Sequence, residues 1–208
     1  MTLGRLHVVT DTRPGRDPLR TVAAALDAGA PVIQVRAKGA TDAELYELAG
    51  RVTDLCAAHD ACCIVNDRPD VALAVDAGGA HVGRGDLPVA AARRLLGPAR
   101  VLGATARDAA TAAAHEAAGA SYLGVGPAYA TATKAGLPAP LGPDGVGAVA
   151  GAVGIPVVAV AAVTVERVAP LLAAGAYGVA VISAVSDAED PARATEDLLA
   201  ALAAAVPA

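Results

Sequence analysis

Short apolar runs alternate along this chain with longer alanine-rich stretches whose apolar positions recur at helical spacing. The β-rich runs fall at 6–10 (LHVVT), 32–36 (VIQVR), 62–66 (CCIVN) and 80–83 (AHVG), then at 101–105, 121–125, 156–160 and 178–183. Helices are predicted between them at about 18–28, 42–59, 69–76, 88–96, 108–118, 143–152, 165–174 and 190–205. The second carries Leu45, Leu48, Val52 and Leu55 on one face, and Thr41-x-x-Glu44 ahead of it is a capping-box pattern. Gly-Ala steps at 29–30, 119–120 and 175–176 suit the left-handed residue that closes a helix before the next strand. Eight strands alternating with eight helices predict a closed (β/α)8 TIM barrel over residues 1–208, with its active site at the C-terminal ends of the strands. An open doubly wound sheet is the competing arrangement. The uniformly short strands and the lack of a GxGxxG after the first one weigh against it.

Composition narrows the chemistry. Over 208 residues, 55% are apolar, yet there are four tyrosines and no phenylalanine or tryptophan, so the core is aliphatic. The net charge of −5 and the lack of a basic stripe interleaved with aromatics argue against nucleic acid as a partner. No apolar run is long enough to suggest a membrane span or an export signal, and a cytoplasmic location is expected. Cys56, Cys62 and Cys63 are odd in number and lack metal-ligand spacing, which reads as buried thiols in a reducing compartment. The same reading allows a homo-oligomer.

Rare residues then mark one rim. The sole glutamine, Gln34, stands with Arg36 and Lys38 at the end of the second strand. The sole asparagine, Asn66, and Asp67 close the third, and Asp86 lies just past the fourth. Thr105 ends the fifth strand, Thr131, Thr133 and Lys134 sit in the long loop after the sixth, and Ser183 ends the eighth. Lys38 and Lys134 are the only lysines in an arginine-rich chain, so these positions favour a compact ammonium. Two cations and an amide converging on a pocket suit a polyanion such as pyrophosphate, with a structural ion pair as the alternative. Asp67 and Asp86 end adjacent strands, about 5 Å apart, where two carboxylates share a proton or hold a hard cation such as Mg2+. Each also precedes a proline by two residues and could instead be a helix N-cap. The stretch GVGPAYATATKAG (124–136) combines an open backbone with hydroxyls and a lysine, which suits phosphate oxygens, though a solvated loop has the same composition. Of the histidines, His59 and His115 read as exposed, His7 as structural, and His81 as pocket wall or packing.

The motifs IQVRAKG, IVNDRPDVALAVDAGGAHVGRGDLP, YLGVGPAYATATK and APLGPDGV occur in this order, and with them the chain resembles the thiamine phosphate synthase family almost end to end. The resemblance implies a transferase that joins 4-amino-2-methyl-5-hydroxymethylpyrimidine pyrophosphate to 4-methyl-5-(2-phosphoethyl)thiazole, with Mg2+ as cofactor. It implies that Gln34, Val35, Arg36, Ala37 and Lys38, with Asn66 and Lys134, bind the pyrimidine pyrophosphate. Asp67 and Asp86 would hold Mg2+. Thr131, Ala132, Thr133, Ala162, Ile182 and Ser183 would bind the thiazole phosphate, with Thr105 also on the substrate. Arg36, Lys38 and Lys134 are the implied catalytic cations. The family mechanism is dissociative: pyrophosphate leaves before the thiazole nitrogen captures the pyrimidine cation, so no general base is needed.

Two departures stand out. Thr105 occupies a position usually held by serine in the family, and Ala161-Ala162 replace a Gly-Gly pair at the thiazole-phosphate site. If that pair needs a left-handed backbone, alanine costs roughly 1–2 kcal/mol per residue. Two alternatives share the fold. A thiazole tautomerase paralogue uses a strand-5 histidine where GATARD offers Arg107, and a non-catalytic phosphate-ligand binder would bind the pyrimidine pyrophosphate without turnover.

Overall fold

The computed structural model describes residues 3–131 and 138–205. Its strands are β1 (Leu6–Val9), β2 (Val32–Val35), β3 (Cys62–Asn66), β4 (Gly79–Val82), β5 (Val101–Ala106), β6 (Tyr122–Val125), β7 (Val157–Val160) and β8 (Gly178–Val181). The helices are α1 (Pro18–Asp27), α2 (Asp42–Ala58), α3 (Pro69–Ala74), α4 (Val89–Leu96), α5 (Ala109–Ala117), α6 (Gly142–Ala150), α7 (Val165–Ala173), α8 (Ser183–Ser186) and α9 (Pro191–Ala204). Each strand pairs in parallel with its neighbours in chain order, and β8 returns to β1 with Leu6 opposite Val179, so the barrel is closed. Closure leaves no free strand edge, and the helices cover the outer face.

The local signals act as their chemistry dictates. The Thr41 hydroxyl accepts from the Glu44 N–H at 3.3 Å while the Glu44 carboxylate accepts from the Thr41 N–H at 2.7 Å, completing the capping box. Asp17 and Asp190 cap α1 and α9, each with proline at the first helical position, where its missing N–H costs nothing. Gly29 and Gly175 follow their helices at φ +88° and +110°, the closing geometry expected of the Gly-Ala steps.

The strands are buried on both faces, which is why they read as continuous apolar runs. An outer core joins barrel to helices through residues such as Ile33, Val65, Leu102 and Leu171. A smaller inner core of Val32, Cys62, Ile64, Tyr122 and Val158 fills the barrel below the strand ends. One element differs from expectation. The eighth strand ends at Val181, two residues early, and Ser183 begins the single helical turn α8. A four-residue helix is too short to leave a periodic signature.

Candidate active site

Above the inner core, at the C-terminal ends of the strands, opens a cavity of about 420 Å³, a size suited to a small ligand. The strand pleat decides who enters it. Gln34, Arg36 and Lys38 line the cavity, whereas Val35 and Ala37 do not, and Val35 packs into the outer core. Side-chain contacts from this stretch are thus limited to the three polar residues. The backbone at Arg36 is pinned by buried Thr10, whose hydroxyl accepts from the Arg36 N–H at 2.8 Å and donates to its carbonyl at 2.9 Å.

Asn66, Asp67, Arg84 and Asp86 continue the same wall. Neither aspartate is an N-cap: α3 and α4 begin after Arg68 and Pro88, without a side-chain cap. Asp67 adopts φ +67°, its N–H donates to the His81 carbonyl at 2.7 Å, and its carboxylate is ion-paired to Lys38. Asp86 closes its own loop by accepting from the Gly83 N–H at 2.7 Å. The two carboxyl groups lie close enough to shift each other's titration. Burial pushes Asp86 above the ordinary carboxylate range, and the contact with Asp67 adds to it. Burial works against Asp67 as well, but the contact with Asp86 and the Lys38 ammonium outweigh it and hold Asp67 below that range.

Among the described residues no group of three or more His, Cys, Asp or Glu forms a cation cage. Two facing carboxylates open to a cavity are nonetheless a donor set that fits Mg2+, which commonly takes one or two carboxylates and completes its shell with water and substrate phosphate.

The cavity floor holds polar side chains that the sequence marked weakly. His81 is buried between two partners, with Nδ1 3.0 Å from the Tyr122 hydroxyl and Nε2 2.9 Å from the Thr105 hydroxyl. His7 meets the Tyr122 ring edge-on at 5.1 Å. Burial pulls both imidazoles down to about 4, so they are neutral near pH 7. Gly103 and Gly124 make the space: a Cβ at Gly103 would sit 2.2 Å from the Tyr122 ring, and one at Gly124 would sit 2.9 Å from His81.

The opposite wall carries Thr131, Ala161, Ala162, Ile182 and Ser183. Ala161 and Ala162 have φ of +79° and +51°, so the left-handed backbone is present and alanine bears its cost. Ala132, Thr133 and Lys134 lie outside the described residues. Beneath α8, buried Asp11 accepts from the Ser186 hydroxyl at 3.0 Å and from Arg13, tying the loop after β1 to the loop after β8. Arg13 foremost holds the Asp11 carboxyl down at about 2. Arg84 and Tyr122 went unmarked in the sequence. Arginine is too common here to signal a site, and a buried strand does not reveal which face points inward.

The family model for thiamine monophosphate synthase matches residues 6–185. The chain belongs to that family. It is 60% identical over 204 residues to a thiamine-phosphate synthase from Salinispora tropica, covering 97% of this chain and 98% of the relative. A solved thiamine phosphate pyrophosphorylase from Pyrococcus furiosus superposes with a TM-score of 0.89 at 36% identity, covering 98% and 97% of the two chains. A crystal structure of 3-hexulose-6-phosphate synthase, at 19% identity and a TM-score of 0.66 over 96% of this chain and all of the other, shares the fold alone. The chain is accordingly a transferase of thiamine biosynthesis built on a TIM barrel.

Proposed function

We propose that this enzyme joins 4-amino-2-methyl-5-hydroxymethylpyrimidine pyrophosphate to 4-methyl-5-(2-phosphoethyl)thiazole, releasing pyrophosphate and forming thiamine phosphate. The observation that carries this reading is a single cavity with two unlike ends. Arg36, Lys38, Arg84, Asn66 and the Asp67–Asp86 pair lie on one wall, and the Thr131, Ala162 and Ser183 wall faces them. Both ends suit phosphate, and the space between suits two small rings.

The residues divide the work. Gln34 and Asn66 offer amides that orient the pyrimidine end, while Arg36, Lys38 and, by resemblance, Lys134 stabilise charge developing on the departing pyrophosphate. Bound between Asp67 and Asp86, Mg2+ would neutralise part of that diphosphate charge. The thiazole nitrogen attacks with its own lone pair and needs no base, and His81, with both ring nitrogens engaged, offers none. The aliphatic walls of Val9, Val158, Val160 and Val181 exclude water from the cation formed between the steps. Three buried free thiols suit a reducing cytoplasm.

The test is to mix the full chain with both substrates and Mg2+ and follow thiamine phosphate and pyrophosphate together, with EDTA as the control. EDTA-sensitive formation of both in equal amounts is expected. Binding of the pyrimidine pyrophosphate without turnover would replace this reading with that of a phosphate-ligand binder. Asp67→Asn, which removes the charge but keeps a residue type that tolerates the φ of +67°, should lower kcat by a factor of about 100 or more with the melting temperature close to wild type. Turnover within a few-fold of wild type would remove Asp67 from the proposed metal pair.

A further inference from the structure

Alanine leaves positive φ readily unless its surroundings hold it there. At Ala161–Ala162 the holding group is Arg167, from the first turn of α7, whose Nη1 donates to the Ala162 carbonyl at 2.6 Å. The same guanidinium lies 4.4 Å from the centre of the Tyr129 ring. The Ala128 N–H, next to Tyr129, donates to the Val160 carbonyl at 2.8 Å, so the residues on both sides of Ala161 are held. One side chain therefore joins the loop after β6, which leads to Thr131, to the loop after β7. Arg167 does not itself line the cavity, whereas Ala161 and Ala162 do. A carbonyl engaged by a guanidinium is not presented to an incoming anion, which it would repel.

We propose that Arg167 is a positioning residue for the phosphate-bearing thiazole. It locks the Ala161–Ala162 turn in its left-handed form and, through Tyr129, sets that turn against the loop after β6. The proposal rests on the proposed function for the identity of the ligand. It also accounts for how alanine serves at these two positions: a guanidinium supplies the hold that glycine would make unnecessary.

The test uses the full chain, with Arg167→Ala and Arg167→Lys made both in wild type and in the Ala161→Gly/Ala162→Gly background. The dissociation constant of the thiazole phosphate is read by calorimetry, and KM is measured for each substrate. In wild type, Arg167→Ala should raise the thiazole-phosphate Kd and KM by about tenfold and leave the pyrimidine-pyrophosphate KM within about twofold, with Arg167→Lys between. In the glycine background the same change should cost less than about threefold, because glycine adopts the turn unaided. An equal rise in both KM values, or an undiminished effect in the glycine background, overturns the proposal. Should Arg167→Ala fail to fold, Tyr129→Leu, which removes the ring and spares the carbonyl bond, should weaken thiazole phosphate selectively, and an unchanged Kd overturns the proposal. A wild-type chain that shows Arg167-dependent binding but no turnover would sink the synthase reading and keep this one. A chain that turns over with a Kd indifferent to Arg167 would do the reverse.

Discussion

Five described residues other than glycine have positive φ, and three of them, Asp60, Asp67 and Asp76, belong to a type that tolerates the left-handed region. Ala161 and Ala162 are the exceptions, and both face the cavity. The strain makes a stability prediction that is separate from ligand binding. Ala161→Gly relieves roughly 1–2 kcal/mol of backbone cost, against about 0.4–1 kcal/mol for the freer unfolded chain. The variant should therefore be more stable by about 1 kcal/mol, seen as a higher urea midpoint at an unchanged slope. A midpoint at or below wild type would show that the position carries no such strain. The sequence marked this pair only through the family resemblance, because nothing in the letters Ala-Ala announces a positive φ.

At the scale of elements, what the sequence revealed depended on whether a signal was local. The helix start at Thr41 was legible because the capping hydroxyl and the glutamate that answers it lie three residues apart. The rim was legible because glutamine, asparagine and lysine are rare in this chain. The cavity floor was not, since it is assembled from β4, β5 and β6 by packing across strands. Gly103 shows the dependence most directly. Its ideal Cβ would lie 2.2 Å from the Tyr122 ring and 2.4 Å from His81 Nδ1, and both rings are rigid. Gly103→Ala should cost roughly 1–3 kcal/mol of stability, as overpacking does, and should disturb the 2.9 Å contact between His81 and Thr105. Urea denaturation reads the first effect and the KM values of the two substrates the second. A variant as stable as wild type would mean that the floor is looser than the close packing of these rings implies.

Across the whole molecule, these buried groups set how stability depends on pH. His7 and His81 titrate near 4 in the folded chain, chiefly because burial disfavours the imidazolium, against 6.5 when free. Between those values the unfolded chain takes up the protons, so the stabilisation is complete above pH 6.5 and is lost as the pH falls toward 4. Each histidine accounts for about 3 kcal/mol of that loss by pH 4. Asp11 extends the decline. Its carboxyl is held at about 2, foremost by Arg13, against 3.8 when free, so its contribution fades below pH 4. On the alkaline side, burial pushes the Cys62 thiol up to about 11 and the Tyr122 phenol higher still, so unfolding becomes favoured once the free groups ionise above about pH 9. Stability measured by urea at a series of pH values should therefore be flat from about 6.5 to 9 and fall on both sides. His7→Gln should flatten the acid limb between pH 6.5 and 4, since the replacement has no proton to gain. An acid limb as steep in that variant as in wild type would take His7 out of the account and leave His81 and the carboxylates to explain it.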